Sequence, residues 1–172
     1  MTSQLTISPV DGRVYVERTL ATPVQIEAAL ESARLAQRVW RDVAMAERAA
    51  ILSRFCEAFE SRGEVIAEEL SWQMGRPLRY APSEVRGTLE RARHMIAIAP
   101  AALADIDVGP KAGFHRFLRR QPLGVVFTVA AWNYPYLIAV NSVVPALMAG
   151  NVVVLKHSAQ TPLCAERFEE CL

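Results

Sequence analysis

The hydrophobic pattern is densest between Gln121 and Lys156, a stretch with no charged side chain before the terminal lysine. Gly124 to Ala130 is a short β-branched apolar run that reads as a buried strand, and Trp132-Asn133-Tyr134-Pro135 breaks it with turn-forming residues. From Tyr136 to Ala149 the spacing becomes helical. Leu137, Val140, Val144 and Leu147 share one stripe, Gly150-Asn151 stops the helix in the left-handed manner, and Val152 to Leu155 forms a second strand. Strand, turn, helix and strand in that order predict a right-handed βαβ unit with parallel strands buried on both faces. In open parallel sheets ligands bind beyond the carboxyl ends of the strands, which here carry Trp132-Asn133 and Lys156-His157-Ser158.

Upstream, the pattern alternates between strand and helix periods. Two short alternating runs flank the turn Pro9-Val10-Asp11-Gly12 within residues 2–20. Thr22-Pro23-Val24-Gln25 announces a helix with a capping residue, a proline at the first helical position and a glutamine three places after the cap; its expected buried stripe is Ile26, Leu30, Ala33, Ala36 and Trp40. A second helix is predicted from Met45 to Arg62, with Leu52, Phe55, Cys56 and Phe59 inward and Gly63 as its stop. A third runs from Glu64 to Met74 and ends at Gly75-Arg76-Pro77. The fourth, from Ser83 to Ile98, carries Val85, Leu89, Ala92 and Ile96. Residues 103–122 turn extended around the loop Gly109-Pro110-Lys111-Ala112-Gly113, and a two-stranded ribbon of this kind needs something to pack against. Pro162 to Leu172 is amphipathic, with Cys164, Phe168 and Cys171 on one face; it reaches its last residue without a cap, so the chain is expected to continue.

Composition narrows the function classes. The 172 residues are 52% hydrophobic, enough for a sizeable core, and 19 basic against 18 acidic residues give no electrostatic reason to expect nucleic acid or an anionic membrane as partner. Leu137 to Leu155 approaches the length of a membrane span, but Asn141, Ser142, Pro145 and Gly150-Asn151 interrupt it, and a buried sheet accounts for both of its periods. Arg116, Arg119 and Arg120 beside Phe114 and Phe117 read as charges guarding an edge strand. Three cysteines without a CxxC pairing indicate neither a disulfide framework nor a zinc site, and a reducing cytoplasm fits them. No metal is expected. Cys56 reads as a small core residue and His94, among Arg91, Arg93 and Met95, as a helix surface residue. The opening MTSQLTISPVDG lacks the layout of a signal peptide.

The segments PLGVV, AAWNYP and PALMAGNVVVLKHSAQTP resemble the aldehyde dehydrogenase superfamily, whose usual wording is close to PxGVxxxxxPWNFP followed by PALAAGNxVVLKPSExTP. The spacing from Asn133 to Lys156 agrees as well, and ERAAILSRF and MGRP extend the likeness upstream. The resemblance implies an α/β fold in three parts: an N-terminal helical part (residues 1–102), a protruding β-hairpin that joins a neighbouring subunit (103–122) and the first βαβ unit of a parallel nucleotide-binding sheet (123–172). It implies oxidation of an aldehyde to a carboxylic acid with NAD or NADP. Asn133 would be the oxyanion donor, whereas from the residues alone a helix cap is the simpler role. Val129, Ala130, Ala131 and Trp132 would pass along the dinucleotide, Lys156 would bind the adenosine ribose, and His157, Ser158 and Ala159 would complete the ribose pocket. Tyr134, Leu137 and Ile138 would line the aldehyde entrance.

Two departures modify that expectation. The sequence reads KHSA where many members read KPSE, so Ala159 replaces a carboxylate that would bind the ribose 2′-hydroxyl and repel a 2′-phosphate; NADP is therefore expected to be accepted. The family's nucleophilic cysteine and general-base glutamate lie far downstream of this segment, so the chain alone is expected to be inactive. A truncated relative serving as a binding or assembly module is the alternative.

Overall fold

The computed structural model describes residues 2–172. The alternating runs at the start form an antiparallel hairpin, β1 (Ser3–Ile7) and β2 (Val14–Thr19), closed by a turn with Gly12 at φ 75°. Four helices follow: α1 (Pro23–Trp40), α2 (Met45–Ser61), α3 (Gly63–Met74) and α4 (Ala81–Ala102). The start of α1 is the capping box that Thr22 and Gln25 predict: the Gln25 N–H donates to Thr22 Oγ1 at 3.3 Å and the Thr22 N–H donates to Gln25 Oε1 at 2.9 Å. A narrow ribbon of β3 (Ile106–Asp107) and β4 (Phe117–Leu118) then leads into β5 (Val125–Val129), α5 (Pro135–Met148), β6 (Val152–Lys156) and α6 (Leu163–Cys171). β5 and β6 pair in parallel, in register from Val125↔Val152 to Val129↔Lys156. The mixed α/β architecture and the βαβ unit are those expected.

The core lies among α2, α3, α4, α5 and α6. Its centre is aromatic: Phe55 stacks on Phe168 at 5.7 Å between centroids, and Phe59 meets Tyr136 edge-on at 5.1 Å. Cys56, Cys164 and Cys171 fill small gaps around these rings, as their positions on apolar helical faces indicate. Tyr136 is fully buried at the start of α5, so the core anchors the loop leaving β5. Full burial of an apolar side chain such as Phe55 or Phe59 stabilises by about 1.5–3 kcal/mol, whereas the gain from the Tyr136 ring is offset in part by its buried hydroxyl, unpaired among the described residues.

Several expectations need correction. The parallel strands are not buried on both faces. Thr128 points at α5, where its Oγ1 lies 2.7 Å from Ser142 Oγ, but Phe127 and Val129 on the opposite face are 64% and 62% exposed. Helix α1 approaches both strands and its Trp40 Nε1 donates to Leu147 O at 3.0 Å, yet none of its residues is fully buried and Ile26 is 50% exposed. An apolar stripe requires a partner layer, and for much of α1 no such layer lies among the described residues. On α5 the buried face is broader than the predicted stripe: Tyr136, Ala139, Val143 and Met148 join Val140 and Val144, while Leu137 and Leu147 are half-buried. Gly63 opens α3 instead of merely stopping α2, and α4 outruns its predicted ends on both sides. The stretch 137–155 is divided between α5 and β6, and among the described residues no helix is long and apolar enough to cross a membrane.

Candidate active site

Parallel pairing brings the two polar clusters to one edge of the sheet. Val129 and Lys156 are register partners at the ends of β5 and β6, and the Ala130 N–H extends the ladder to Lys156 O at 3.1 Å. Beyond that bond the chain turns outward. Ala131, Trp132, Asn133 and Tyr134 are exposed, as are Lys156 and Ala159, whereas Ala130 is buried.

The turn is held from a distance. Tyr134 occupies the cap position of α5 and its side chain makes no capping bond, so Asn133 is not the cap. Glu84 of α4 takes that role. Its Oε1 accepts from the Tyr136 N–H at 3.0 Å and the Leu137 N–H at 3.4 Å, placing a carboxylate at the positive end of the helix. The other carboxylate oxygen pairs with Arg76, whose Nη2 donates to Asn133 O at 2.6 Å while its guanidinium lies 4.6 Å from the centre of the Tyr134 ring. Arg76 and Glu84 were not among the candidates drawn from sequence. The available signal was Glu84, a lone charge in phase with the buried stripe of Ala81, Val85, Leu89 and Ala92.

The loop after Lys156 is fixed on its inner side. His157 is buried; its Nδ1 accepts from the Ser158 N–H at 3.2 Å and lies 3.3 Å from the fully buried Thr161 Oγ1. Burial is the main reason its pKa falls to about 4; the Lys156 charge acts in the same direction, and the nearby Pro135 backbone opposes both. The ring is therefore neutral near pH 7 and faces inward. Ser158 Oγ accepts from the Gln160 N–H at 3.2 Å, and Ala159 O accepts from Thr6 Oγ1 at 2.8 Å. The side chain of Gln160 donates to Gln73 O and to Ile7 O, so β1 and the end of α3 support the loop.

The three entrance candidates do not form one wall. Tyr134 borders a surface recess with Met74, Arg76, Pro77 and Tyr80, while Leu137 is half-buried and Ile138 partly exposed along α5. Trp132 borders a second recess with Ile7, Pro9 and Gln160. None of the three thiols is poised to attack. All are buried, burial raises each pKa, and Cys164 is pushed up to about 12. Among the described residues no group of three or more His, Cys, Asp or Glu side chains could hold a metal ion.

Residues 2–172 match the model of the aldehyde dehydrogenase family. The chain belongs to the aldehyde dehydrogenase family. It is 35% identical over 161 residues to a fluoroacetaldehyde dehydrogenase of Streptantibioticus cattleyicolor, covering 91% of this chain and 31% of that protein. Against a succinate-semialdehyde dehydrogenase [NADP(+)] of Mycobacterium bovis it is 34% identical over 165 residues, 93% of this chain and 35% of the relative. Its fold superposes on an NAD-dependent benzaldehyde dehydrogenase from Corynebacterium glutamicum with a TM-score of 0.88 at 31% identity, over 99% of this chain and 38% of the other. The chain thus spans about a third of the length of the relatives it matches, and its βαβ unit is part of the shared fold.

Proposed function

We propose that this chain supplies the oxyanion donor and part of the cofactor site of an NAD(P)-dependent aldehyde dehydrogenase. The observation that carries the proposal is the pairing of Val129 with Lys156 at one sheet edge, beside a turn that presents Asn133 without using it as a helix cap. The residues suit a dinucleotide. Exposed Lys156 offers an ammonium donor for ribose hydroxyls, the small Ala131 side chain leaves room for the backbone to approach the ligand, and exposed Phe127 and Val129 offer an apolar surface. Trp132 flanks that surface, Ser158 and Ala159 border the ribose position, and buried His157 serves by ordering this loop.

When bound, the cofactor supplies the hydride acceptor. The net reaction joins aldehyde, NAD(P)+ and water to give carboxylate, NAD(P)H and two protons. Asn133 donates an N–H to the aldehyde oxygen as negative charge develops there, and a neutral amide does so without quenching a thiolate nucleophile. Tyr134, Leu137 and Ile138 border the approach of the aldehyde. With all three of its thiols buried and their pKa values raised, the chain lacks an attacking cysteine of its own, and aldehyde plus NAD(P) should give no turnover with it alone. Ala159 leaves no carboxylate to repel a 2′-phosphate, so NADP is accepted alongside NAD.

The test replaces the matched segment of the C. glutamicum benzaldehyde dehydrogenase with residues 2–172. Oxidation of benzaldehyde by the chimera is expected, with kcat lowered roughly a hundredfold or more by Asn133→Ala. An active chimera indifferent to Asn133→Ala overturns the assignment. Titrating NAD and NADP into the 172-residue chain gives an independent reading: Lys156→Ala should weaken both about tenfold, the loss of one charge-assisted hydrogen bond. Unchanged binding removes Lys156 from the site.

A further inference from the structure

We propose that Arg76 and Glu84 are the positioning residues of the Asn133 turn, a paired clamp that sets where the oxyanion donor stands. The proposal rests on the reading of Asn133 given above. Arg76 and Glu84 have side chains only 11% and 0% exposed, so the pair is withdrawn from solvent and has little freedom to rearrange. Each partner holds a different part of the same five residues. Glu84 fixes the start of α5 through the Tyr136 and Leu137 amides, which have no intrahelical acceptor of their own. Arg76 fixes the residue that bears the donor, through Asn133 O and across the Tyr134 ring. The ion pair couples the two grips, so Asn133 cannot shift along the sheet edge without breaking a buried charged contact.

The elements behind the clamp are rigid. Arg76 follows directly on Gly75, whose left-handed φ of 76° ends α3, and Glu84 lies in the first turn of α4, whose Val85 and Leu89 are in the core. Two helix ends therefore converge on one turn. A simple stability contact would need only one of these bonds, whereas a positioning role requires the specific fork by which Arg76 spans Glu84, through Nη1, and Asn133 O, through Nη2. Catalysis is sensitive to such placement, because displacing a reacting group by about 1 Å can cost on the order of a hundredfold.

The experiment is amide hydrogen exchange and nuclear magnetic resonance on the full 172-residue chain, which needs neither substrate nor cofactor. Glu84→Ala should accelerate exchange at Tyr136 by at least about tenfold, the loss of roughly one charge-assisted hydrogen bond. Glu84→Gln keeps an oxygen acceptor and should largely restore that protection, yet should leave the Asn133 resonances shifted and broadened because Arg76 is no longer held. Arg76→Lys keeps the charge opposite Glu84 but loses the fork, so Tyr136 should stay protected within about twofold while Asn133 and Tyr134 are perturbed. Phe55, deep in α2, reports on global stability and should be unchanged in Arg76→Lys, which keeps both charges of the buried pair. Asn133 resonances that superimpose on wild type in Arg76→Lys, or a loss of protection that reaches Phe55 equally, would overturn the proposal. Failure of NAD(P) to bind the chain would instead count against the functional reading and leave the clamp standing.

Discussion

His157 illustrates how one side chain can make the whole fold sensitive to pH. Its pKa drops from 6.5 to about 4 on burial, so between those values the unfolded chain binds a proton that the folded chain excludes. The stabilisation tied to the neutral ring is complete above pH 6.5 and is lost as pH falls through about 4. Its size is on the order of 3 kcal/mol, the product of the shift and the cost per pKa unit. Urea unfolding at pH 7.5 and pH 4.5 measures the loss. His157→Gln should show a smaller loss between the two pH values, because carboxylate titration remains while the histidine contribution is gone. Equal losses in both proteins would show that the ring is not desolvated as its position under Thr161 requires.

At the scale of elements, the ends of helices carry much of the specificity. Gly75 closes α3 at φ 76°, and a Cβ there would come within 2.9 Å of Pro9 Cγ on the β1–β2 turn; Gly109, at φ 81° in the ribbon, has nothing within 4 Å. Alanine at either site incurs the left-handed cost of about 1–2 kcal/mol, but only Gly75→Ala adds a clash. Gly75→Ala should therefore lower Tm by at least about 3–6 °C and by more than Gly109→Ala does, as thermal unfolding would show. The same contrast explains what could be read from the chain itself. The runs Gly124 to Ala130 and Val152 to Leu155 declared the parallel pair that β5 and β6 form, because β-branched density and the intervening helix are local signals. The stripe on α1 declared a face but not its cover, since a period of 3.6 says nothing about which layer arrives. Asn133 was legible as part of a motif, yet its competing role as a cap could be dismissed only when Glu84 was seen to arrive from another helix. Arg76 and Glu84 were missed for the same reason: their meaning lies in a tertiary convergence on residues about fifty positions away.

For the molecule as a whole, the ribbon poses the clearest question of assembly. β3 and β4 share only two paired residues each, and such a ribbon is marginal in water on its own. Local polar contacts keep its shape: Arg119 pairs with Asp105 at 2.8 Å, Arg116 Nη2 donates to Gly109 O at 3.0 Å and Arg120 Nη1 to Ala104 O at 2.9 Å. Its apolar residues nevertheless face solvent, with Phe114 66% and Leu118 58% exposed. A shaped ribbon with uncovered apolar side chains is suited to joining the sheet of a second copy, and we propose this as the oligomer contact. Light scattering on the purified chain should then give a multimer, and Leu118→Asp should lower the mass to a monomer that keeps the wild-type far-ultraviolet circular dichroism, because the substituted side chain supports no part of the core. Phe127→Asp serves as the contrasting variant, since Phe127 and Val129 are a further pair of exposed apolar side chains, on the open face of the sheet. If Phe127→Asp separates the copies and Leu118→Asp does not, association runs through the sheet face that the proposed cofactor would occupy, and the ribbon loses its role. If neither variant changes the mass of a multimer, neither surface is the interface. A wild-type chain that is already a monomer would mean that the ribbon does not join copies of this chain by itself.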